Sequence, residues 1–333
     1  MTVLEPPTDA GDPFDLVIGQ DRVVAQLRAA AAEPVHAFLF VGPRGTGKRR
    51  AAAALAGELV GDTTDRLRAR RLVHTEAHPD LVVFEPEGPS YRMEEAEAVI
   101  VAASMAPVEA GAKVIVLTRF EDASADLAAK LLKPIEEPPP NTRFVLLAER
   151  VAPEHVTIAS RCTVIEFPAV SVDAIVAALE VRGVEPEIAR AAAQGSGGDV
   201  RRAELLVTDD AFARRRQMWW DAPVRLDGTG YRAMELVTEI RVAIDEAQAP
   251  LEARQALEAE AMAEKEELTG TRGSGRAAME ARHRREARLH RTDEWRMGLA
   301  TLAQRYRGAL EQSRVGLDVF ADIDDAAAAI SRN

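Results

Sequence analysis

Between residues 35 and 168 the chain alternates two textures. Short, nearly continuous apolar runs rich in Val, Leu, Ile and Phe fall at Val35–Val41, Leu81–Glu85, Lys113–Thr118, Arg143–Ala148 and Thr163–Phe167. Runs of this length and composition predict strands buried on both faces. Between them Arg49–Val60, Met93–Ser104 and Ser124–Glu136 carry apolar residues at helical spacing. In the second of these Met93, Ala96, Val99, Ile100 and Ala103 share one face. Strands alternating with helices predict βαβ units and a largely parallel sheet.

Past residue 169 no strand pattern remains. Ser171–Val181, Pro186–Gln194 and Val200–Leu206 read as short helices, set apart by Gly183 and the Gly195–Gly198 turn. A second break is expected from Asp221 to Gly230, around Pro223, and a polar loop at Thr269–Gly275. The remainder reads as helical, and no internal repeat is evident. The pattern therefore divides into an α/β part (1–168), a small helical part (169–208) and an all-α part (209–333).

Composition narrows the class. The 333 residues carry 42 basic and 54 acidic side chains, a formal charge of −12, with 47% apolar and 5% aromatic residues. This is a globular chain whose core is built from Ala, Leu and Val. No apolar run approaches the roughly 18 residues of a membrane-spanning helix. Met1 to Asp15 lacks the basic start and apolar stretch of a signal peptide, so a cytoplasmic protein is expected. One cysteine, Cys162, excludes a disulfide framework and a Cys-cluster zinc site, and without a His partner it reads as a small buried residue. The net acidity argues against a surface that is basic throughout.

Directly after the first predicted strand comes Gly42-Pro43-Arg44-Gly45-Thr46-Gly47-Lys48-Arg49, followed by an Ala-rich helix. This is the spacing of a phosphate loop. Gly42, Gly45 and Gly47 let backbone N–H groups close around phosphate oxygens, and Lys48 reaches the terminal phosphates. Two positions depart from an active site. Arg49 stands where a Ser or Thr gives its hydroxyl to Mg²⁺, and Val116-Leu117-Thr118-Arg119-Phe120 stands where an Asp-Glu pair holds the metal. Glu121 and Asp122 come three and four positions late and read as caps of the following helix or as surface groups. The loop is compatible both with ATP or ADP held without hydrolysis and with a vestigial site.

Several further stretches, in order, resemble the delta-prime family of bacterial DNA polymerase III clamp-loader subunits, which are AAA+ proteins. They are Phe14–Gln20, His36-Ala37-Phe38-Leu39-Phe40, His78-Pro79-Asp80-Leu81, Leu131-Leu132-Lys133-Pro134-Ile135-Glu136-Glu137-Pro138-Pro139 and Ser160-Arg161-Cys162. The resemblance covers residues 14–208 well and the rest loosely. It implies an AAA+ phosphate-loop core (1–168) with a parallel sheet, a helical lid (169–208) and an all-α collar for oligomerisation (209–333). It implies that Arg161 is an arginine finger reaching a neighbouring motor subunit's ATP site, where its fixed charge assists phosphoryl transfer. Arg201, within Gly198-Asp199-Val200-Arg201-Arg202, corresponds to a nucleotide-sensing arginine, although the adjacent Arg202 leaves the register open. The partners implied are the gamma/tau motor and delta subunits, and indirectly the sliding clamp and primer–template DNA, with no membrane.

The chain departs from the family at the four-cysteine zinc module, because Gly61–His78 holds no cysteine; no metal is expected, and His74 and His78 read as surface histidines. Pro134, late in its helix, is expected to kink or end it. The expected role is that of a non-hydrolysing stator subunit with no required cofactor. The alternatives are an active motor ATPase of the same loader and a DNA binder acting through the basic block Arg276–Arg291. That block follows an acidic stretch of six glutamates in residues 252–267 and reads first as one of two solvated faces of paired helices. Trp295, Leu299, Leu302, Tyr306 and Leu310 form a helical stripe suited to packing within the chain or between collar subunits.

Overall fold

Five strands form where the apolar runs predict them: β1 (Ala37–Val41), β2 (Leu81–Phe84), β3 (Lys113–Leu117), β4 (Thr142–Ala148) and β5 (Thr163–Glu166). They make one parallel sheet in the order β2-β3-β4-β1-β5. In β1, Phe38 lies opposite Val145 of β4 and Thr163 of β5. Successive side chains face opposite sides, so Phe38 and Phe40 enter one core with Leu27 and Leu55. Leu39 enters the other with Leu131, Phe144 and Leu146. Each such burial contributes roughly 1.5–3 kcal/mol, and the demand from both faces explains the unbroken apolar runs.

The structure is a computed structural model and describes residues 12–60, 66–86, 88, 90–269 and 276–315. Contacts divide the chain into two compact units, Met1–Thr208 and Asp209–Asn333. The first holds the sheet and helices α1 (Asp21–Ala32), α2 (Lys48–Leu59), α3 (Arg66–His74), α4 (Met93–Ser104), α5 (Ala125–Glu136), α6 (Val156–Ala159), α7 (Val172–Glu180), α8 (Pro186–Ser196) and α9 (Val200–Thr208). Residues of α1 and α2 join the first core, and those of α4 and α5 the second. Helices α7–α9 carry an apolar cluster of their own around Ile175, Leu179, Ala189 and Ala193.

Several local expectations are corrected. Helix α5 continues past Pro134 to Glu136 and stops before Pro138-Pro139, because a proline in the last turn removes one donor only. Ser124 caps that helix by accepting from Leu127 N–H at 3.3 Å, so Glu121 and Asp122 are not its caps. Helices α1 and α3 add to the three expected before the lid; α1 buries Val23 and Leu27 and packs Val24, Ala30 and Ala31 against the first core. His78 is buried at 2% exposure rather than a surface group, while His74 is exposed.

The burial of His78 has a cause in the His-Pro-Asp sequence. Its Nδ1 accepts from Asp80 N–H at 3.1 Å. Asp80 is fully buried and accepts the backbone N–H groups of Val108, Glu109 and Ala110 at 2.5, 2.9 and 2.8 Å. The carboxylate thereby fixes the loop that leads into β3.

The second unit contains α10 (Asp210–Arg225), α11 (Gly230–Glu246), α12 (Ala249–Thr269) and α13 (Arg276–Val315). Helix α10 runs through Pro223, so the break predicted from Asp221 is confined to Leu226–Thr229. Trp219 of α10 meets Trp295 of α13 edge-on at 5.5 Å, over Ile240 and Ile244 of α11. Gly298 allows this approach, since a Cβ there would stand 1.9 Å from the Trp219 ring. Helices α12 and α13 run antiparallel, joined by Arg254–Glu286 at 2.9 Å and His283–Glu258 at 3.0 Å. Trp295 and Leu302 of the predicted stripe pack inward, whereas Leu299, Tyr306 and Leu310 are exposed. No described helix is long and apolar enough to cross a membrane. The loop expected at Thr269–Gly275 lies, beyond Thr269, outside the described residues, as does most of Met1–Asp15.

Replacing Asp80 by Ala removes the buried acceptor shared by three part-buried backbone N–H donors, so Asp80→Ala should lower the unfolding free energy by about 2–4 kcal/mol. Urea unfolding checks this, and an unchanged midpoint would contradict the anchoring role.

Candidate functional site

The loop from Gly42 to Lys48 joins β1 to α2 and takes its shape from two close approaches. A Cβ on Gly42 would stand 2.0 Å from the Phe167 carbonyl oxygen. Gly45, at φ +69°, faces helix α9: a Cβ there would stand 1.7 Å from Asp199 Oδ1. Gly47, also left-handed, opens α2. Gln20, from the segment before α1, donates to the carbonyls of Thr46 at 3.3 Å and Pro168 at 2.7 Å. It ties the loop to the exit of β5.

Lys48 turns back on its own loop. Its ammonium donates to the carbonyls of Gly42 and Pro43. Burial lowers its pKa, and the charges of Glu149, Glu121 and Asp199 oppose that shift. Glu149, just past β4, pairs with Arg44 of the loop. Glu121 is half-buried and accepts from Glu149 N–H at 3.2 Å, and burial raises its pKa. Asp122 pairs instead with Arg119 at 2.6 Å. Glu121 is thus a member of the loop's surroundings, which sequence spacing alone placed elsewhere.

Arg49 faces away from the loop, to Glu76 at 2.7 Å and Glu85 at 2.7 Å. Loop shape alone fits a phosphate. A metal-bound triphosphate poised for hydrolysis is not matched: Arg49 offers no hydroxyl, and the Lys48 ammonium is taken by the loop's own carbonyls. No hydrolytic step follows from these residues.

Helix α9 closes over the loop. Val200 N–H donates to Gly45 O at 3.0 Å, and Asp199 caps α9 by accepting Arg202 N–H at 2.9 Å. Burial raises the Asp199 pKa. Farther along, Glu204 of α9 receives Arg50 of α2 at 3.0 Å and Arg182, which follows α7. Burial pushes the Glu204 carboxyl up, but Arg182 and Arg50 outweigh it and leave it below the usual range. Arg201 is exposed, and among the described residues no hydrogen bond of its side chain reaches the loop; its charge and its backbone N–H act on Asp199. Nothing in the sequence placed Asp199 against Gly45.

Arg161 lies elsewhere in the unit, between α6 and β5. Its Nε stands 2.8 Å from Glu136 Oε2, Nη1 donates to Thr157 O at 2.9 Å, and its carbonyl contacts His36 Nε2 at 3.0 Å. The guanidinium is one-third exposed. Glu136 belongs to the Leu131–Pro139 stretch, so that stretch and Ser160-Arg161-Cys162 form one surface feature. Burial pushes the Cys162 thiol up to about 12, which leaves it without nucleophilic character at neutral pH.

A strand–phosphate loop–helix unit in a parallel sheet of this order, with a helical cluster over the loop, defines an AAA+ protein. Residues 19–171 match the family model described as "DNA polymerase III, delta subunit". The chain is 31% identical over 186 residues to the delta′ subunit of DNA polymerase III from Bacillus subtilis, covering 54% of this chain and 56% of the relative. It is 30% identical to the Pseudomonas aeruginosa delta′ subunit, covering 44% and 47%. The B. subtilis tau subunit is 28% identical, covering 49% and 30%. Over residues 19–171 the chain is similar to the delta-prime family of clamp-loader subunits. The matched region spans about half the length of those delta′ relatives.

Because the Glu204 pKa is depressed in the folded chain, its contribution is present at neutral pH and is lost as pH falls through the folded pKa. Glu204→Gln should therefore lower stability by about 1–2 kcal/mol at neutral pH. The difference should close below about pH 4. Parallel urea titrations across that range check it, and a pH-independent gap would contradict the ion-pair account.

Proposed function

We propose that this chain is a non-hydrolysing stator subunit of the DNA polymerase III clamp loader and acts in sliding-clamp loading during DNA replication. The observation that carries this reading is the state of the phosphate loop. Lys48 is held by the loop's own carbonyls, and Gly45 is met by Asp199 and Val200 of α9. A lid held in place by protein groups suits a subunit whose shape is constant while its neighbours cycle. Nucleotide is not required for this role, and neither is zinc or another metal.

In this reading residues 1–168 are the core, 169–208 the lid and 209–333 the collar. The gamma/tau motor and delta subunits are the partners, and the exposed Leu299, Tyr306 and Leu310 suit packing between collars. Gly42, Gly45, Gly47 and Lys48 keep the shape of a nucleotide loop without its turnover, and Arg201 has no assigned step. Arg161 acts in trans as the arginine finger. Its planar, permanently charged fork sits at the surface, steadied by Glu136 and Thr157, and would swing onto a neighbour's phosphates by exchanging one anion for another.

The test is a reconstituted loader carrying Arg161→Ala in this chain alone. Single-turnover hydrolysis at the adjoining motor site, stimulated by clamp and primed DNA, should fall by roughly 10³-fold or more. The isolated chain should show no ATPase with or without Lys48→Ala. Unchanged hydrolysis and clamp loading would refute the finger, and turnover abolished by Lys48→Ala would identify a motor subunit.

A further inference from the structure

The basic block at the start of α13 divides into arginines with acidic partners and arginines without them. Arg276 pairs with Glu280 at 3.3 Å, Arg282 with Glu258 of α12, and Arg291 with Asp245 of α11 at 3.2 Å. Arg284 and Arg288 are exposed, and among the described residues neither guanidinium has a hydrogen bond or an ion pair. They stand at i and i+4 on one face, and Arg291, itself exposed, follows at i+7. Together with Ala287, Thr292 and Trp295 they line a shallow groove of about 390 Å³.

The chemistry of that groove is specific in sign. Every charged residue lining it is an arginine, in a chain whose net charge is −12. The nearby acids are already engaged: Glu280 by Arg276, and Glu286 by Arg254 and Gln255. Along the helix, Arg284 to Arg291 spans roughly 10 Å, a reach that covers several phosphates of one strand. Guanidinium forks bind phosphate oxygens bidentately, and the half-buried Trp295 at one end offers an aromatic edge or face to a base. The apolar lining is confined to Ala287 and Trp295, too little for the apolar core that a protein partner's interface would bury.

We propose that this face of α13 is a nucleic-acid contact that takes the phosphate backbone of DNA, with Arg284, Arg288 and Arg291 as the phosphate ligands. The contact is independent of sequence and does not depend on the role proposed for Arg161. Of the three, Arg284 and Arg288 carry no ion pair among the described residues, so removing their charge leaves the Trp219–Trp295 core intact, while Arg291 would share itself with Asp245.

The experiment uses the full chain and a short fluorescein-labelled DNA duplex with a single-stranded overhang, read by fluorescence anisotropy. Wild type should bind at low salt, with log K falling linearly in log salt between about 50 and 200 mM. Arg284→Glu with Arg288→Glu should weaken binding at least tenfold and reduce the salt slope by about two, one unit per lost phosphate contact. The double Lys variant should recover most of the affinity, whereas Arg276→Glu, outside the groove, should change it little. Far-UV circular dichroism verifies that each variant keeps its helix content. Absence of binding by wild type, or equal binding by the double Glu variant, would overturn the proposal. Displacement of the duplex by polyglutamate as readily as by unlabelled DNA of equal charge would also overturn it, and would assign the groove to an acidic polypeptide.

Discussion

The contact on which the first unit turns is the one between Gly45 and the start of α9. The Val200 N–H reaches the Gly45 carbonyl at 3.0 Å, and the Asp199 carboxylate lies where a Gly45 side chain would be. Only a residue without a Cβ permits both. Once that approach is made, other features follow. Helices α7–α9 are fixed over the loop, Asp199 is buried with a raised pKa, and its charge reaches Lys48. The Arg50–Glu204–Arg182 cluster then closes the same interface farther along α9. Glycine chemistry that ordinarily makes room for a phosphate here also makes room for the protein's own helix.

Charge is used differently in the two units. In the first, acids and bases meet around one loop, where burial lowers the Lys48 pKa and raises those of Glu121 and Asp199. Such an enclosure favours fewer net charges, which an additional polyanion would disturb. In the second, the acidic stretch of α12 and the basic stretch of α13 are opposed across an antiparallel pair, with Glu258 taking both Arg282 and His283. Most of the block is structural by this measure. Arg284 and Arg288, whose side chains have no ion pair among the described residues, set that helix face apart.

Much of the architecture was legible in the sequence because it rests on strong, local signals. The five apolar runs became the five strands: β1, β3 and β4 are buried on both faces as expected, whereas the edge strand β5 exposes Thr163, Val164 and Glu166. The helix Met93–Ser104 was readable from its spacing, whereas the cap of α5, sought at Glu121 and Asp122, falls to Ser124. What escaped reading depends on long-range contacts. His78 and Asp80 are buried because a loop some 28 to 30 residues later donates to Asp80. Glu121 faces Glu149 across 28 residues, and Asp199 meets a glycine more than 150 positions earlier. Pro223 misled in the opposite sense: a strong local breaker was tolerated near a helix end already fixed by packing. The phosphate loop itself was evident from spacing; its occupation by protein groups was not.

The central claim is that the lid closes on the phosphate loop through the protein's own residues and not through a bound nucleotide. Hydrogen exchange at the Val200 amide and along α9, measured with and without magnesium-ATP, tests it most directly. The same protection in both conditions, with no phosphate released, is the predicted result. Protection that appears only with ATP, accompanied by steady phosphate release, would contradict it.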